Sequence, residues 1–179
     1  MSSEQSQISV ELRLPFITIG TSNVRSVLQR RNRRIAGPFM IVSVTSGLAL
    51  DTAFTTAQGS LPHLWPTHGK PHQLWHLKPS GHRDEVHIVS AANRLLLDGA
   101  HLAGEGDHPR MSASNGEARQ RWRLASAPDG RAHQLVCVGT GKALDCPWEA
   151  ERTTRPVLWE PHDGENQHWV LAMPFSAAE

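Results

Sequence analysis

The tripeptide Gln-x-Trp occurs three times, as Gln73-Leu74-Trp75, Gln120-Arg121-Trp122 and Gln167-His168-Trp169, with 47 residues between copies both times. An aspartate keeps the same beat at Asp51, Asp98 and Asp145, each 22 residues before its glutamine. Two marks in phase over three copies identify an internal repeat, so one supersecondary unit is used three times. Apolar positions extend the register without a gap: Ile41/Ile88/Leu135, Leu50/Leu97/Leu144, Leu64/Met111/Leu158 and Leu77/Leu124/Leu171 coincide.

Each apolar run is short, rich in Val, Ile and Leu, and bounded by Gly, Asn, Ser or Pro, which is strand chemistry. Hairpin signals lie between the runs, at Thr45-Ser46-Gly47, Pro128-Asp129-Gly130 and Thr140-Gly141-Lys142. About four strands fit in a unit, in the first near residues 39–44, 48–53, 61–65 and 73–78. One such unit cannot bury both faces of its strands. Three about a pseudo-threefold axis close into a capped barrel without free edges, and three blades are too few for a propeller. The expected fold is therefore all-β, a β-trefoil over residues 37–178 with repeats at 37–83, 84–130 and 131–178, preceded by an extension over 1–36.

The extension differs in charge. It holds six basic and two acidic residues, against twelve and fifteen in the remainder. Ile8, Val10, Leu12 and Leu14 alternate like a strand, and residues 23–35 read as a short basic helix with Val24, Val27, Leu28 and Ile35 on one side. Its arginines could serve nucleic acid or an anionic membrane, but no aromatics interleave them and the rest of the chain is slightly acidic. The favoured reading is a solvated helix packed on the trefoil, with no nucleic-acid partner; a dimerisation arm making a homodimer is the alternative. The first twenty residues lack an apolar signal core, so a cytoplasmic protein, or one released without a signal peptide, is expected. Cys137 and Cys146 could face each other across a hairpin, but reduced thiols are the expectation in that compartment.

Three Gln-x-Trp units, each with an upstream aspartate after an apolar pair, resemble the ricin B-chain type lectins, which are β-trefoils. The resemblance covers about residues 37–178. It implies that the tryptophans are core, that the glutamines bond nearby backbone, and that the chain is a non-enzymatic lectin. Sugars are recognised by an aromatic face together with a carboxylate or amide that takes adjacent hydroxyls. By resemblance the first site is Asp51 and the Trp65 platform, with His63, His72 and Gln73. The third is Asp145, Trp159, Asn166 and Gln167. His63 and His72 depart from the family, His72 standing where Asn is common. The second unit has Ser112 at the platform and Arg119 at the Asn position, so a weak or dead site is expected there. The implied ligand is a galactose or N-acetylgalactosamine-type glycan, and the disulfides of plant-type relatives fall at other positions.

His63, His68, His72 and His76 form the densest run of histidines, and imidazole is a good zinc or copper ligand. Their spacing matches no established zinc pattern, so no metal or other cofactor is expected. The chain also lacks the nucleophile elbow and the phosphate-binding loop of common enzymes. A protein-interaction module, such as a protease inhibitor or scaffold, is the competing function, because a trefoil does not select among functions.

Overall fold

The computed structural model describes residues 17–18, 36–53, 57–100 and 104–174, and all of its extended segments join one sheet. After a two-residue strand β1 (Ile17–Thr18), the first unit comprises β2 (Ala36–Ser43), β3 (Ala49–Asp51), β4 (His63–Trp65), the 3-10 turn η1 (Pro71–Gln73) and β5 (Trp75–Pro79). The second has β6 (Val86–Ser90), β7 (Leu96–Asp98), β8 (Arg110–Ser112), η2 (Ala118–Gln120) and β9 (Trp122–Ser126). The third has β10 (His133–Cys137), β11 (Ala143–Asp145), β12 (Val157–Trp159), η3 (Glu165–Gln167) and β13 (His168–Met173). The 47-residue beat thus sets the same four strands and one turn three times, near the positions expected from the apolar runs.

First and fourth strands of each unit pair, bringing Phe39 opposite Trp75, Val86 opposite Trp122 and His133 opposite Trp169. Neighbouring units pair through β5–β6, β9–β10 and β13–β2, which closes a ring of six strands. Second and third strands form three hairpins outside that ring, β3–β4, β7–β8 and β11–β12. A closed ring with three hairpins is the β-trefoil, and closure removes sheet edges that would otherwise pair with other chains.

Period-two alternation turns the repeated apolar residues to one centre. Trp75, Trp122 and Trp169 are fully buried there, packed among Leu50, Leu97, Leu144, Leu64, Met111 and Leu158. Each indole N–H donates to the carbonyl 25 residues earlier, of Leu50, Leu97 and Leu144, at 3.0, 2.9 and 2.9 Å. A buried ring needs that partner, so the tryptophan also fixes where the second strand of its unit ends. Cys137 and Cys146 are buried free thiols, as expected, and the Cys137 thiol donates to the carbonyl of Arg119.

β1 runs antiparallel to β13, with Ile17 opposite Met173 and Thr18 opposite Ala172. The strand expected around residues 8–14 and the basic helix expected at 23–35 lie outside the described residues. No described helix is long and apolar enough to cross a membrane.

Candidate functional site

The Gln of each motif acts as a staple beneath a loop. Gln73, Gln120 and Gln167 accept from the amides of His68, Asn115 and His162, five residues back, at 2.9, 2.9 and 3.0 Å. Each also donates to a carbonyl seven residues back, of Pro66, Ala113 and Glu160. Gln73 and Gln167 are fully buried by this duty. Both side chains are thus pinned to loop backbone beneath the surface.

A second threefold pattern runs between units. Gly59 N–H donates to Met111 O at 2.7 Å and Met111 N–H to Ser60 O at 2.8 Å. One period on, Gly106 bonds Leu158 and Leu158 bonds Asp107; one further, Thr153 bonds Leu64 and Leu64 bonds Thr154. Each unit therefore lays the loop before its third strand along the third strand of the next unit, cyclically. Every hairpin groove is walled by the preceding repeat. The first position of this bridge has positive φ in all three copies, 85° at Gly59, 82° at Gly106 and 74° at Thr153. Glycine takes that conformation freely, whereas a β-branched threonine there is strained.

In the first unit a cavity of about 350 Å³ is lined by Asp51, His63, Trp65, His68, Lys70 and His72, with Ala53 and Thr153 completing it. Asp51 is 2% exposed at its base. Its Oδ1 accepts from the Ala53 amide at 2.6 Å, so the turn-closing role of an Asx turn is real here and uses one oxygen. Three imidazoles face the carboxylate: His63 Nε2 lies 4.0 Å from Oδ1, and His68 and His72 Nε2 lie 3.5 and 3.7 Å from Oδ2. Trp65, half-buried, meets the edge of His63 with ring centroids 5.7 Å apart. The guanidinium of Arg152, from the third unit, sits 5.8 Å over the Trp65 ring. Burial is the main cause holding His63 and His68 below the ordinary imidazole value of 6.5; His72 pushes the same way and Asp51 opposes it. His63, Trp65, His72 and Asp51 thus come together as the sequence pattern implies. His68, in phase with Asn115 and His162, joins them in the cavity. Of the four clustered histidines, His76 alone lines a different cavity, with Lys78, Val89 and Arg94.

The second unit has a comparable cavity of about 380 Å³, lined by Gln58, Gly59, Asp98, Arg110, Ser112, Asn115 and Arg119. Its carboxylate is occupied. Asp98 accepts from the Ala100 amide at 3.1 Å, from Arg119 Nε at 3.1 Å and from Gln120 Nε2 at 3.1 Å. No ring stands at Ser112.

The third unit is different again. Pro147, two residues after Asp145, has no N–H with which to close the turn. Asp145, 5% exposed, instead takes Asn166 Nδ2 on both oxygens, at 3.0 and 2.9 Å, and Gln167 Nε2 on Oδ2 at 3.0 Å. His162 Nε2 stands 3.6 Å from Oδ2. Trp159 is 39% exposed, as a platform must be, while Asn166 is 4% exposed and its Oδ1 has no hydrogen-bond partner among the described residues. Trp148, 69% exposed, lies on the loop after β11.

Residues 28–108 and 81–159 each match the family model described as ricin-type beta-trefoil lectin domain-like. Among solved structures the chain is similar to ThreeFoil, a designed threefold-symmetric protein, at 26% identity and a TM-score of 0.72, covering 76% of this chain and 99% of that one. It is also similar to the exo-β-1,3-galactanase 1,3Gal43A of Clostridium thermocellum, at 25% identity and a TM-score of 0.70, covering 76% of this chain but only 30% of the enzyme. The C-half of an earthworm R-type lectin, solved with GalNAc, shares the fold at 21% identity and a TM-score of 0.59, covering 75% of this chain and 96% of that one. No curated protein matches the chain in sequence.

Proposed function

Since the chain belongs to the ricin-type β-trefoil lectin-like family, we propose that it is a non-enzymatic lectin that binds galactose or N-acetylgalactosamine-type glycans through its first and third repeats. The observation that carries this reading is the pairing, in those two repeats, of a buried aspartate with a tryptophan that solvent reaches, Asp51 with Trp65 and Asp145 with Trp159. An indole takes the C–H face of a pyranose, and a carboxylate with lone pairs to spare takes neighbouring hydroxyls as charge-assisted acceptor. The second repeat has the aspartate but a serine, Ser112, at the platform position, and Arg119 holds its carboxylate. That repeat is degenerate in this reading, and its large cavity does not alter that, since volume without a stacking face fixes no sugar.

Two sites on one rigid trefoil gain avidity on a glycan surface by about 10²–10⁴ where geometry allows both to engage. Titration with lactose followed by tryptophan fluorescence tests the proposal. Binding that weakens in Trp65→Ala and in Trp159→Ala, and vanishes in the double variant, supports it. A flat titration and an empty glycan array exclude it and favour a protein partner.

A further inference from the structure

The imidazoles around Asp51 pose a question that sugar binding does not answer. In the second and third units the motif glutamine donates to its aspartate, Gln120 to Asp98 at 3.1 Å and Gln167 to Asp145 at 3.0 Å. In the first unit Gln73 Nε2 donates to Pro66 O, with no bond to Asp51 among the described residues, and Asp51 Oδ2 is faced by His68 and His72. Their separations of 3.5 and 3.7 Å are longer than a normal hydrogen bond. They are, however, what two ligands of one metal ion show, since bonds of about 2.0–2.2 Å to a tetrahedral zinc leave the ligand atoms about 3.4 Å apart. One ligand atom from each of Asp51, His68 and His72 lies within 4.8 Å of the others.

We propose that Asp51, His68 and His72 form a three-ligand site for a zinc-like divalent cation, with the fourth position open to the cavity in front of Trp65. Two imidazoles and one carboxylate suit zinc or its borderline neighbours. Calcium takes six to eight oxygens, which this cluster does not offer. His63, 4.0 Å from Oδ1, borders the open side. The phase of the repeats isolates the site. The positions of His68 and His72 hold Asn115 and Arg119 in the second unit, and His162 and Asn166 in the third. Only in the first do both carry imidazole. In a lectin the open position would take a sugar hydroxyl; that consequence rests on the reading above, while the metal site does not.

The chemistry leaves a signature. His68 Nδ1 accepts the Lys70 amide at 3.1 Å, which places the proton of the neutral ring on Nε2. A cation on Nε2 moves that proton to Nδ1, and the Lys70 amide, in an exposed residue, turns to water.

The test is calorimetry of zinc chloride against the full chain stripped with a chelator. One saturable site per chain is expected, with affinity falling at least about tenfold in His68→Asn and in His72→Asn and unchanged in His76→Gln. The two asparagines are the residues of Asn115 and Asn166 at the same phase, so the fold tolerates them. The Lys70 amide resonance of the unaltered chain should shift on loading. An absence of saturable binding at millimolar zinc overturns the proposal. So does binding that His68→Asn and His72→Asn leave intact, binding that His76→Gln weakens equally, or a Lys70 resonance that does not move.

Discussion

Asp51 and Asp98 occupy the same point of the same repeat, both buried at the base of a cavity of similar size, yet their surroundings differ in kind. Asp98 is held by Arg119, Gln120 and the Ala100 amide. Asp51 accepts the turn-closing amide of Ala53 and faces three imidazoles. The scaffold around them, meaning the buried tryptophan, the glutamine staple and the borrowed loop, is the same. A repeat protein can therefore hold its frame constant in every copy and vary chemistry at only a few in-phase positions, here those of His63, Trp65, His68 and His72.

If the frame is common, breaking it should hurt equally in either repeat. Trp75→Ala and Trp122→Ala should each cost about 3–5 kcal/mol in urea unfolding, because each empties the shared core and orphans a leucine carbonyl. A clear inequality between them would mean that the repeats are not equivalent supports. Converting the chemistry should be possible without touching the frame. Arg119→Asn with Ser112→Trp should give the second repeat a platform and the amide-held carboxylate of the third, raising lactose stoichiometry by one site per chain in calorimetry. Losing the Arg119 partner should cost about 1–3 kcal/mol of stability.

The comparison extends to His133, which stands at the position of Phe39 and Val86 but carries an imidazole that is 2% exposed, with neither ring nitrogen hydrogen-bonded among the described residues. Burial holds its pKa below the ordinary 6.5, against the opposing pull of Asp129. The folded state therefore resists a proton that the unfolded chain accepts. Stability from this group is fully present above about pH 6.5 and is lost as pH falls through the lowered folded value, with a slope of at most about 1.4 kcal/mol per pH unit. His133→Val should remove that part of the acid sensitivity and stabilise the chain by about 1–3 kcal/mol at neutral pH, readable as thermal unfolding across pH. The smallest effect is expected at the loop bridge. Thr153→Gly restores the residue of the other two copies at a positive φ and should stabilise by about 1 kcal/mol in the same assay. No gain would show that Thr153 bears no strain.

The barrel and its hairpins were legible because side-chain period and repeat phase act together: a strand that buries one face must alternate, and a residue that packs on the axis must recur. The buried motif tryptophans follow from the same logic, whereas the Trp159 platform was implied by the family resemblance. What was not legible involves backbone. The cyclic laying of one unit's loop on the next is made by N–H and carbonyl groups, which every residue has, so its only trace is Gly59 and Gly106 at one phase, and Thr153 hides the third copy. The stapling of loop backbone by Gln73 and Gln167 is likewise hidden, because sequence adjacency to the site does not say which way a side chain turns. The place of His68 beside Asp51 depends on the turn that brings position 68 back over the carboxylate, a closure that spacing alone does not fix.

The central claim is that threefold structure carries twofold sugar chemistry. A crystal soaked with lactose tests it most directly. The account predicts a galactose ring stacked on Trp65 beside Asp51 and another on Trp159 beside Asp145, with none at Ser112. Sugar in the cavity of Asp98 and Arg119, or bare tryptophans in both other repeats, would contradict it.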